Sequence, residues 1–351
     1  MNLWPIIRPI LFRLDPERAH DLTLTALAHL PSPASPRPDP RLAMSVAGLH
    51  VVNPIGLAPG FDKNAYAVKA LLRRGFGFVE VGTLTPRGQS GNPKPRLFRL
   101  DEDRGVINRM GFNNVGQSDA ARRLRAPRCG VVGINIGANK DAADRIEDYV
   151  QGIRSMSPFA DYITINISSP NTPHLRDLQE PGLLNELLEA VSAARSERGP
   201  PVFLKIAPDL TPSEIDAIVR TAMARRIDAL IVANTTVARP PLRSSHSLEK
   251  GGLSGAPLAV LARRRLRDVR SASGGGLPLI ASGGIASGAD AYARILAGAS
   301  LIQIYSALVY DGFALVERIN RELLSLLDRD GHDTLASAVG AGWSMGDSSA
   351  S

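Results

Sequence analysis

The fold of this chain is decided by one stretch, Ile163-Thr164-Ile165-Asn166-Ile167-Ser168-Ser169-Pro170-Asn171-Thr172-Pro173. Its first half is short, apolar and β-branched, which is typical of a buried strand. Its second half changes to small hydrogen-bonding side chains held between two prolines. A single segment of this kind is usually a polar turn in which Ser and Asn cap the backbone. The pattern recurs along the chain, and the recurrence favours strands that present donors and acceptors to a bound molecule.

Apolar runs of strand length alternate with longer amphipathic segments between residues 55 and 327. The predicted strands cover residues 55–59, 78–83, 131–136, 162–167, 202–206, 229–233, 278–281 and 301–305. The predicted helices cover residues 65–74, 142–156, 183–198, 212–225, 258–270, 288–296 and 313–327. Near-continuous apolar strands that alternate with helices indicate an α/β protein with a covered parallel sheet, and eight units in about 250 residues are typical of a (β/α)8 TIM barrel. A doubly wound sheet is the alternative, but no G-x-G-x-x-G follows the first strand.

Residues 1–40 precede the alternating strands and helices, and their sequence predicts a small helical extension. Apolar side chains fall on one side of a short helix at Trp4, Ile7, Ile10, Leu11 and Leu14, and Asp15-Pro16-Glu17 starts a second helix with a cap and a proline at the first position. Five prolines between residues 31 and 40 predict a stiff, extended connector. The apolar run is far shorter than the roughly 20 residues that cross a bilayer. The pair therefore either packs on the barrel or lies in the membrane interface.

The remaining boundaries follow from the same patterns. Residues 42–46 and 49–52 predict a hairpin, and residues 41–330 form the predicted barrel domain. After Gly331 the chain is small and polar, so residues 331–351 are expected to be a flexible tail.

Composition excludes several classes of function. The single cysteine, Cys129, rules out an internal disulfide, and no His or Cys spacing predicts a metal site. The net charge is +7, and only 6 of the 41 basic residues are lysines. Aromatic residues make up 5% of the chain and no nucleic-acid motif is present, which argues against nucleic acid as a partner. A solvated surface, or attraction to an anionic membrane, explains the positive charge more economically.

The carboxyl ends of the predicted strands carry the candidate chemistry, as expected in a barrel. All eight ends hold polar residues or glycine, at residues 59–63, 82–83, Asn135, Asn166 with 168–171, Lys205, 234–235, 282–284 and 305–306. No end carries paired carboxylates, which argues against glycosidase chemistry. The last two ends, with the glycine-rich run 251–255, predict a phosphate site. Lys205 ends a buried strand, so it forms a structural ion pair or faces an electron-rich group such as a flavin ring.

Four ordered motifs resemble those of the dihydroorotate dehydrogenase family. They are Asn108-Arg109-Met110-Gly111-Phe112-Asn113-Asn114, residues 165–172, Gly251-Gly252-Leu253-Ser254-Gly255 and residues 280–285. Family members that use fumarate or NAD have a cysteine as base where this chain has Ser168-Ser169. The N-terminal helical pair is similar to the extension of the membrane-associated, quinone-dependent class 2. The resemblance therefore implies class 2.

The resemblance also implies roles for individual residues. Flavin mononucleotide (FMN) would contact Pro59, Gly60, Phe61, Asp62, Lys63, Thr83, Asn135, Asn166, Lys205, Ala233, Gly255, Gly284, Tyr305 and Ser306. Dihydroorotate would contact Lys63, Asn108, Arg109, Met110, Gly111, Phe112, Asn171, Asn234 and Thr235. Arg99 would lie near the quinone. Ala233 stands where many relatives have threonine, which puts a side-chain contact to the flavin in doubt at that position.

The implied reaction converts (S)-dihydroorotate to orotate in pyrimidine (UMP) biosynthesis. Ser169 would remove the proton from C5 while a hydride passes from C6 to flavin N5, and Thr172 would relay the proton through a water shielded by Phe112. The expected protein is a monomer on the cytoplasmic side of the cell membrane and needs no partner subunit. All implied FMN and dihydroorotate contacts lie beyond residue 40, so deletion of residues 1–40 is expected to stop quinone reduction and spare flavin reduction. The alternatives are a phosphate-binding barrel without flavin and a non-catalytic membrane-docking module.

Overall fold

The structure, a computed structural model of the chain, describes residues 4–30 and 37–343. Within these residues the strands are β1 (Met44–Val46), β2 (Leu49–Val51), β3 (Ile55–Leu57), β4 (Phe78–Leu84), β5 (Arg87–Gln89), β6 (Leu97–Leu100), β7 (Gly105–Asn108), β8 (Asn114–Gly116), β9 (Val131–Ile136), β10 (Tyr162–Asn166), β11 (Val202–Ile206), β12 (Ala229–Val232), β13 (Gly252–Gly255), β14 (Leu279–Ser282) and β15 (Ala299–Ile304). The α-helices are α1 (Trp4–Phe12), α2 (Pro16–His29), α3 (Val68–Leu72), α4 (Gln117–Leu124), α5 (Arg145–Met156), α6 (Pro181–Ala194), α7 (Pro212–Ala224), α8 (Ala259–Ser273), α9 (Gly288–Leu296), α10 (Ser306–Asp311), α11 (Ala314–Asp330) and α12 (Leu335–Ala338).

Eight strands close into a barrel in the order β3, β4, β9, β10, β11, β12, β14, β15, and each pair is parallel. Every predicted strand overlaps one of these eight, so the predicted (β/α)8 barrel is confirmed. Strands β4, β10, β11 and β12 are buried along their whole length. This burial explains why the strand sequences are nearly continuous apolar runs, because helices cover one face and the barrel interior receives the other.

The barrel interior is layered. Phe78, Tyr162 and Phe203 form an aromatic layer, with the rings of Tyr162 and Phe203 stacked at a centroid distance of 4.6 Å. Side chains two residues further along a strand point to the same face. Glu80 and Lys205 therefore lie above the aromatic layer, towards the carboxyl ends of the strands. The carboxyl ends of the strands are therefore supported from below by packed aromatic side chains.

Two small antiparallel sheets outside the barrel were not predicted. Strands β13, β7 and β6 form one sheet, and β5 pairs with β8 in the other. Both sheets join segments that are far apart or irregular in sequence, so no local periodicity marks them. Their importance is positional, because β7 carries Asn108 and β13 carries Ser254 and Gly255 to the strand ends. Helix α4 was also missed.

The two N-terminal helices are present as predicted. The Asp15 side chain accepts a hydrogen bond of 3.0 Å from the Arg18 backbone N–H and caps α2. Helix α1 has no buried residue, and Ile6 and Ile10 are 69% and 63% exposed. Residues 31–36 of the predicted connector lie outside the described residues. None of the helices in the described part of the chain has the length and apolar character needed to span a bilayer.

The hairpin and the C-terminal segment both pack against the barrel. Strands β1 and β2 pair antiparallel across residues 47–48, as predicted, and bury their apolar side chains in the main core. Leu335 and Ala338 of α12 are fully buried in the same core. This packing contradicts the expectation that the chain becomes a flexible tail at residue 331. Residues 344–351 lie outside the described residues.

Candidate active site

A cavity of about 270 Å³ lies at the carboxyl ends of the barrel strands and extends to the N-terminal helices. Most residues that the sequence pointed to line it: Pro59, Gly60, Phe61, Lys63, Thr83, Arg99, Asn108, Met110, Gly111, Phe112, Asn166, Ser169, Asn171, Lys205, Ala233, Asn234, Thr235, Gly255, Gly284, Tyr305 and Ser306. The fold thus gathers residues from the barrel strand ends and from two outer strands at one wall.

Four predicted site residues do not line the cavity. The Asp62 carboxylate turns into its own loop and accepts hydrogen bonds from the backbone N–H groups of Tyr66 and Ala67, at 2.8 and 2.7 Å. The Asn135 side chain lies beneath the cavity wall, where it holds Asn166 and Thr83 in place. These hydrogen bonds give Asp62 and Asn135 a positioning role, and their contact with FMN stays a prediction.

Arg109 and Thr172 are the other two predicted site residues that do not line the cavity. The Arg109 guanidinium points away from the cavity, forms an ion pair with Glu249 at 2.7 Å and stacks over the Phe98 ring at 4.5 Å. The side chain of Arg109 therefore fastens the loop before β13, and the prediction that it contacts substrate is not supported. Thr172 Oγ1 is buried and has no hydrogen-bond partner among the described residues.

Amide and hydroxyl side chains form a connected network across the site. Thr83 Oγ1 donates to Asn135 Oδ1 at 2.6 Å, and Asn166 Nδ2 donates to both of these oxygens at 3.0 Å. Ser168 Oγ donates to Asn166 Oδ1 at 3.0 Å, and Asn234 Nδ2 donates to Ser168 Oγ at 2.9 Å. Each side chain is oriented by its neighbours, so the site is preorganised.

Glu80 anchors this network from below and was missed by the sequence analysis. Its fully buried carboxylate accepts hydrogen bonds from Asn135 Nδ2 at 2.7 Å, Tyr162 Oη at 2.9 Å and Gln303 Nε2 at 2.5 Å. Burial and the adjacent carboxylate raise the pKa of Tyr162, so this phenol remains a donor. The sequence did contain a signal for Glu80, because an acidic residue in the middle of an apolar strand must have buried hydrogen-bond partners.

Lys205 borders the cavity and has no partner among the residues that the structure describes. Among the described residues, no carboxylate lies within ion-pairing distance of its ammonium group and no hydrogen bond forms to it. Burial lowers the pKa of Lys205, and the charge of Glu80 opposes this shift only in part. The ion-pair interpretation is therefore not supported. A buried ammonium group that borders a cavity fits an electron-rich ligand.

Ser169 lies in the loop after β10 with only 7% of its surface exposed. Its Oγ accepts a hydrogen bond of 3.3 Å from the Asn171 backbone N–H. Asn171 Nδ2 in turn donates to the backbone oxygen and side-chain Oδ1 of Asn108, at 3.0 and 3.2 Å. Phe112, which also lines the cavity, adopts a left-handed backbone with φ of 55°, and such conformations in residues other than glycine concentrate at functional sites. The loop of Ser169 is thus tied to the motif that begins at Asn108.

The glycine-rich end of the cavity forms a tight cradle. Gly284 has φ of +69°, and a Cβ atom there would lie 2.3 Å from Ala259 Cα, so only glycine fits. Arg294, buried in α9, donates to the backbone oxygens of Ala259 at 2.8 Å and Gly283 at 3.2 Å. Burial lowers the pKa of Arg294 to about 10, which leaves it charged at neutral pH. Arg294 was missed because nothing in the sequence separates it from a surface residue of a helix.

The other end of the cavity is apolar and lies against α1 and α2. Arg99 donates to the backbone oxygens of Leu11, Phe12 and Leu14, at 3.2, 3.2 and 2.5 Å, and so caps the carboxyl end of α1. His20 of α2 also lines this end and packs edge-on against the Phe61 ring at a centroid distance of 5.0 Å. Burial lowers the pKa of His20 to about 3, so the ring is neutral. The sequence analysis missed His20, since a lone histidine on a helix carries no local signal.

The fold and the site together define a class of protein. It is a (β/α)8 barrel whose strand ends hold a polar ligand site, joined by an apolar passage to a pair of N-terminal helices.

The chain belongs to the dihydroorotate dehydrogenase family, whose sequence profile matches residues 41–327. It is 58% identical to dihydroorotate dehydrogenase (quinone) from Sphingopyxis alaskensis, over 97% of each chain, and 56% identical to that of Erythrobacter litoralis, over 97% of this chain and 99% of the relative. Ligand-free DHODH from Eimeria tenella is 42% identical and has a similar fold, with a TM-score of 0.89 over 93% of this chain and 99% of that one. DHODH from Eimeria tenella in complex with ferulenol is 41% identical in the aligned region, with a TM-score of 0.89 over 93% of this chain and 95% of that one. The family resemblance of the motifs is confirmed, and the family is flavin-dependent.

Proposed function

We propose that this chain oxidises (S)-dihydroorotate to orotate with bound FMN and passes the electrons to a membrane quinone, the reaction of EC 1.3.5.2 in pyrimidine biosynthesis. One observation carries the proposal. A single cavity has Ser169, asparagines and two lysines at one end and the apolar N-terminal helices at the other. Such a cavity can accept a polar substrate and a lipid-soluble acceptor at opposite ends. Relatives that share more than half of their residues with this chain are named for this activity.

The residues of the site fit FMN. Lys205, whose ammonium group has no partner among the described residues, borders the cavity and would face an electron-rich ring. Gly284 and Ser306 line the cavity at the ends of the last two barrel strands, where (β/α)8 barrels often hold a phosphate. Ser306 starts α10, with its Oγ 2.8 Å from Ser254 Oγ. The chemistry that FMN supplies when bound is the two-electron oxidation of the substrate.

The substrate end suits a small anion with several carbonyl and N–H groups. Asn108, Asn171 and Asn234 supply both donors and acceptors, and Lys63 supplies positive charge. Lys63 forms no hydrogen bond or ion pair with a described residue, so its ammonium group is available to a carboxylate. These groups hold the substrate ring in one orientation, which is a main source of catalysis in such a site.

Ser169 is the proposed general base for the proton at C5. A serine hydroxyl accepts a proton only if its own proton leaves, because its ordinary pKa is far above neutral. The hydroxyl accepts one weak hydrogen bond and donates none to a described residue. Thr172 Oγ1, buried and without a partner among the described residues, is the next hydroxyl along the chain and could pass this proton on through a water. Phe112, at the cavity wall, would shield that route.

The N-terminal pair is the proposed membrane contact and quinone entrance. Its exposed apolar side chains, Ile6, Ile7, Ile10, Leu22 and Leu30, form a surface beside basic residues, the pattern of helices that lie in an anionic lipid interface. Quinone-dependent members of the family are membrane-associated. We infer a peripheral protein on the cytoplasmic side of the cell membrane that acts as a monomer.

The test is anaerobic addition of dihydroorotate to the purified full-length protein while its visible spectrum is followed. The expected result is bleaching of a bound flavin, followed by its return when a quinone is added. A colourless protein would indicate the phosphate-binding barrel without flavin. A flavin that dihydroorotate does not bleach would refute the proposed reaction.

A further inference from the structure

A buried ion pair joins α2 to the loop before β6. Arg96 contacts Glu17 through two hydrogen bonds, Nη2 to Oε1 at 2.7 Å and Nε to Oε2 at 3.1 Å. The two side chains are only 7% and 9% exposed, and Lys94 Nζ lies 3.3 Å from Glu17 Oε1. A pair of charges withdrawn from water in this way is costly to break, since the remaining partner would be left buried and unpaired.

The third nitrogen of the Arg96 guanidinium group holds the preceding loop, residues 90–92, through hydrogen bonds. Its Nη1 donates to the backbone oxygens of Ser90 at 2.6 Å and Asn92 at 2.7 Å. The backbone oxygen of Arg96 also accepts from the Arg109 backbone N–H at 2.8 Å. The orientation of one guanidinium group therefore sets the path of residues 90–92.

Asn92 connects the loop of residues 90–92 to the two segments that carry the proposed dihydroorotate contacts, residues 108–112 and Asn171. Its Nδ2 donates to the backbone oxygens of Arg109 and Asn171, each at 3.0 Å, and its backbone N–H donates to the Met110 backbone oxygen at 3.0 Å. The packing is close, because a Cβ atom on Gly91, which has φ of +76°, would lie 2.2 Å from the Met110 oxygen. Neither Asn92 nor the ion pair lines the cavity.

We propose that Glu17, Arg96 and Asn92 are positioning residues for dihydroorotate, which couple the docking of α2 to the geometry of the Asn108–Phe112 and Asn171 segments. The inference rests on the proposed function, because it takes dihydroorotate as the occupant of the polar end. It also changes one expectation. Deletion of residues 1–40 removes Glu17, so reduction of the flavin by dihydroorotate should weaken together with quinone reduction.

The first test is Glu17→Gln in the full-length, flavin-loaded protein. The expected result is a dissociation constant for orotate that rises about tenfold, the usual range for coupling through a structural network. The KM for dihydroorotate should rise with it, while the rate of flavin reduction at saturating substrate stays close to that of the unaltered chain. Asp21→Asn is the control for the lost charge, because Asp21 is an exposed acid on the same helix whose charge also acts on Lys63 but whose side chain makes no hydrogen bond to a described residue. A larger loss of orotate affinity in Glu17→Gln than in Asp21→Asn therefore reports the ion pair.

Two further measurements cover the case in which Glu17→Gln does not fold. Asn92→Ala leaves the ion pair intact and should also weaken orotate binding. In the unaltered protein, orotate should slow hydrogen exchange of the α2 backbone, because coupling between two sites is reciprocal. Normal orotate affinity in Asn92→Ala, or α2 exchange that orotate does not change, would overturn the inference. Failure of the unaltered protein to bind orotate would instead refute the proposed function.

Discussion

Orotate binding should depend on pH through the ammonium group of Lys63. The pKa of Lys63 is lowered to about 8, with burial as the largest cause and the charges of Glu17 and Asp21 in partial opposition. With this pKa the charged fraction falls from about nine tenths at pH 7 to about one tenth at pH 9. If the charged form alone binds the orotate carboxylate, the apparent dissociation constant rises about tenfold over that interval. The free energy of unfolding changes with pH in the opposite direction to the orotate affinity. Since free lysine has the higher pKa, the cost of burying the charge is fully present below pH 8 and disappears as the pH rises further.

The assay is a titration of the flavin-loaded protein with orotate at intervals between pH 6 and pH 9, followed by the visible spectrum. The affinity should be nearly constant near pH 6 and fall as the pH rises through 8. Lys63→Arg should remove this fall, since a guanidinium group stays charged over the whole range. Lys69→Gln, a change at an exposed lysine nearby in the chain, should leave the profile unaltered.

An affinity that does not change with pH in the unaltered protein would refute the role of Lys63 as the titrating contact. A fall that persists in Lys63→Arg would assign the titration to Lys205, the other lysine at the cavity, whose pKa is also lowered by burial.

Three further predictions concern the base, the flavin and the membrane. Ser169→Ala should keep FMN and orotate affinity but slow anaerobic flavin reduction, measured by stopped flow, by about 100-fold or more, and Ser169→Cys should retain more activity than the alanine variant; a normal rate would move the base elsewhere. Lys205→Ala should weaken FMN binding and make the retained flavin harder to reduce, so an unchanged FMN dissociation constant and reduction potential would count against its proposed role. Replacing Ile6 and Ile10 by Asp should reduce co-sedimentation with anionic liposomes without slowing flavin reduction by dihydroorotate, whereas full liposome binding would mean that α1 is only a cover for the barrel.

Local patterns in the sequence were sufficient for the barrel and for the part of the cavity wall that the strand ends form. The period of two in a strand, the caps of helices and the change from apolar to polar at a strand end are all set by neighbours within a few residues. For this reason local patterns predicted the eight strands and placed residues such as Asn166, Ser169 and Lys205 at or just beyond strand ends, while the roles of these residues are implied by the family resemblance. The same local view misjudged the segment after Gly331, because the burial of Leu335 depends on a distant part of the chain.

The directions of individual side chains were decided only by tertiary structure. Arg109 belongs to a recognisable motif, yet Glu249 and Phe98 draw it away from the cavity. Glu80 and His20 contribute to the site from positions that carry no motif.

The ion pair between Glu17 and Arg96 spans 79 residues of sequence and exists only because α2 docks beside the loop before β6. The sequence by itself determined the fold class, the family motifs and the chemical character of the strand ends, since these are encoded by nearby residues. Which charges are paired, and which are left facing the cavity, depended on the closure of the barrel, because burial and distance between remote groups are properties of the folded chain.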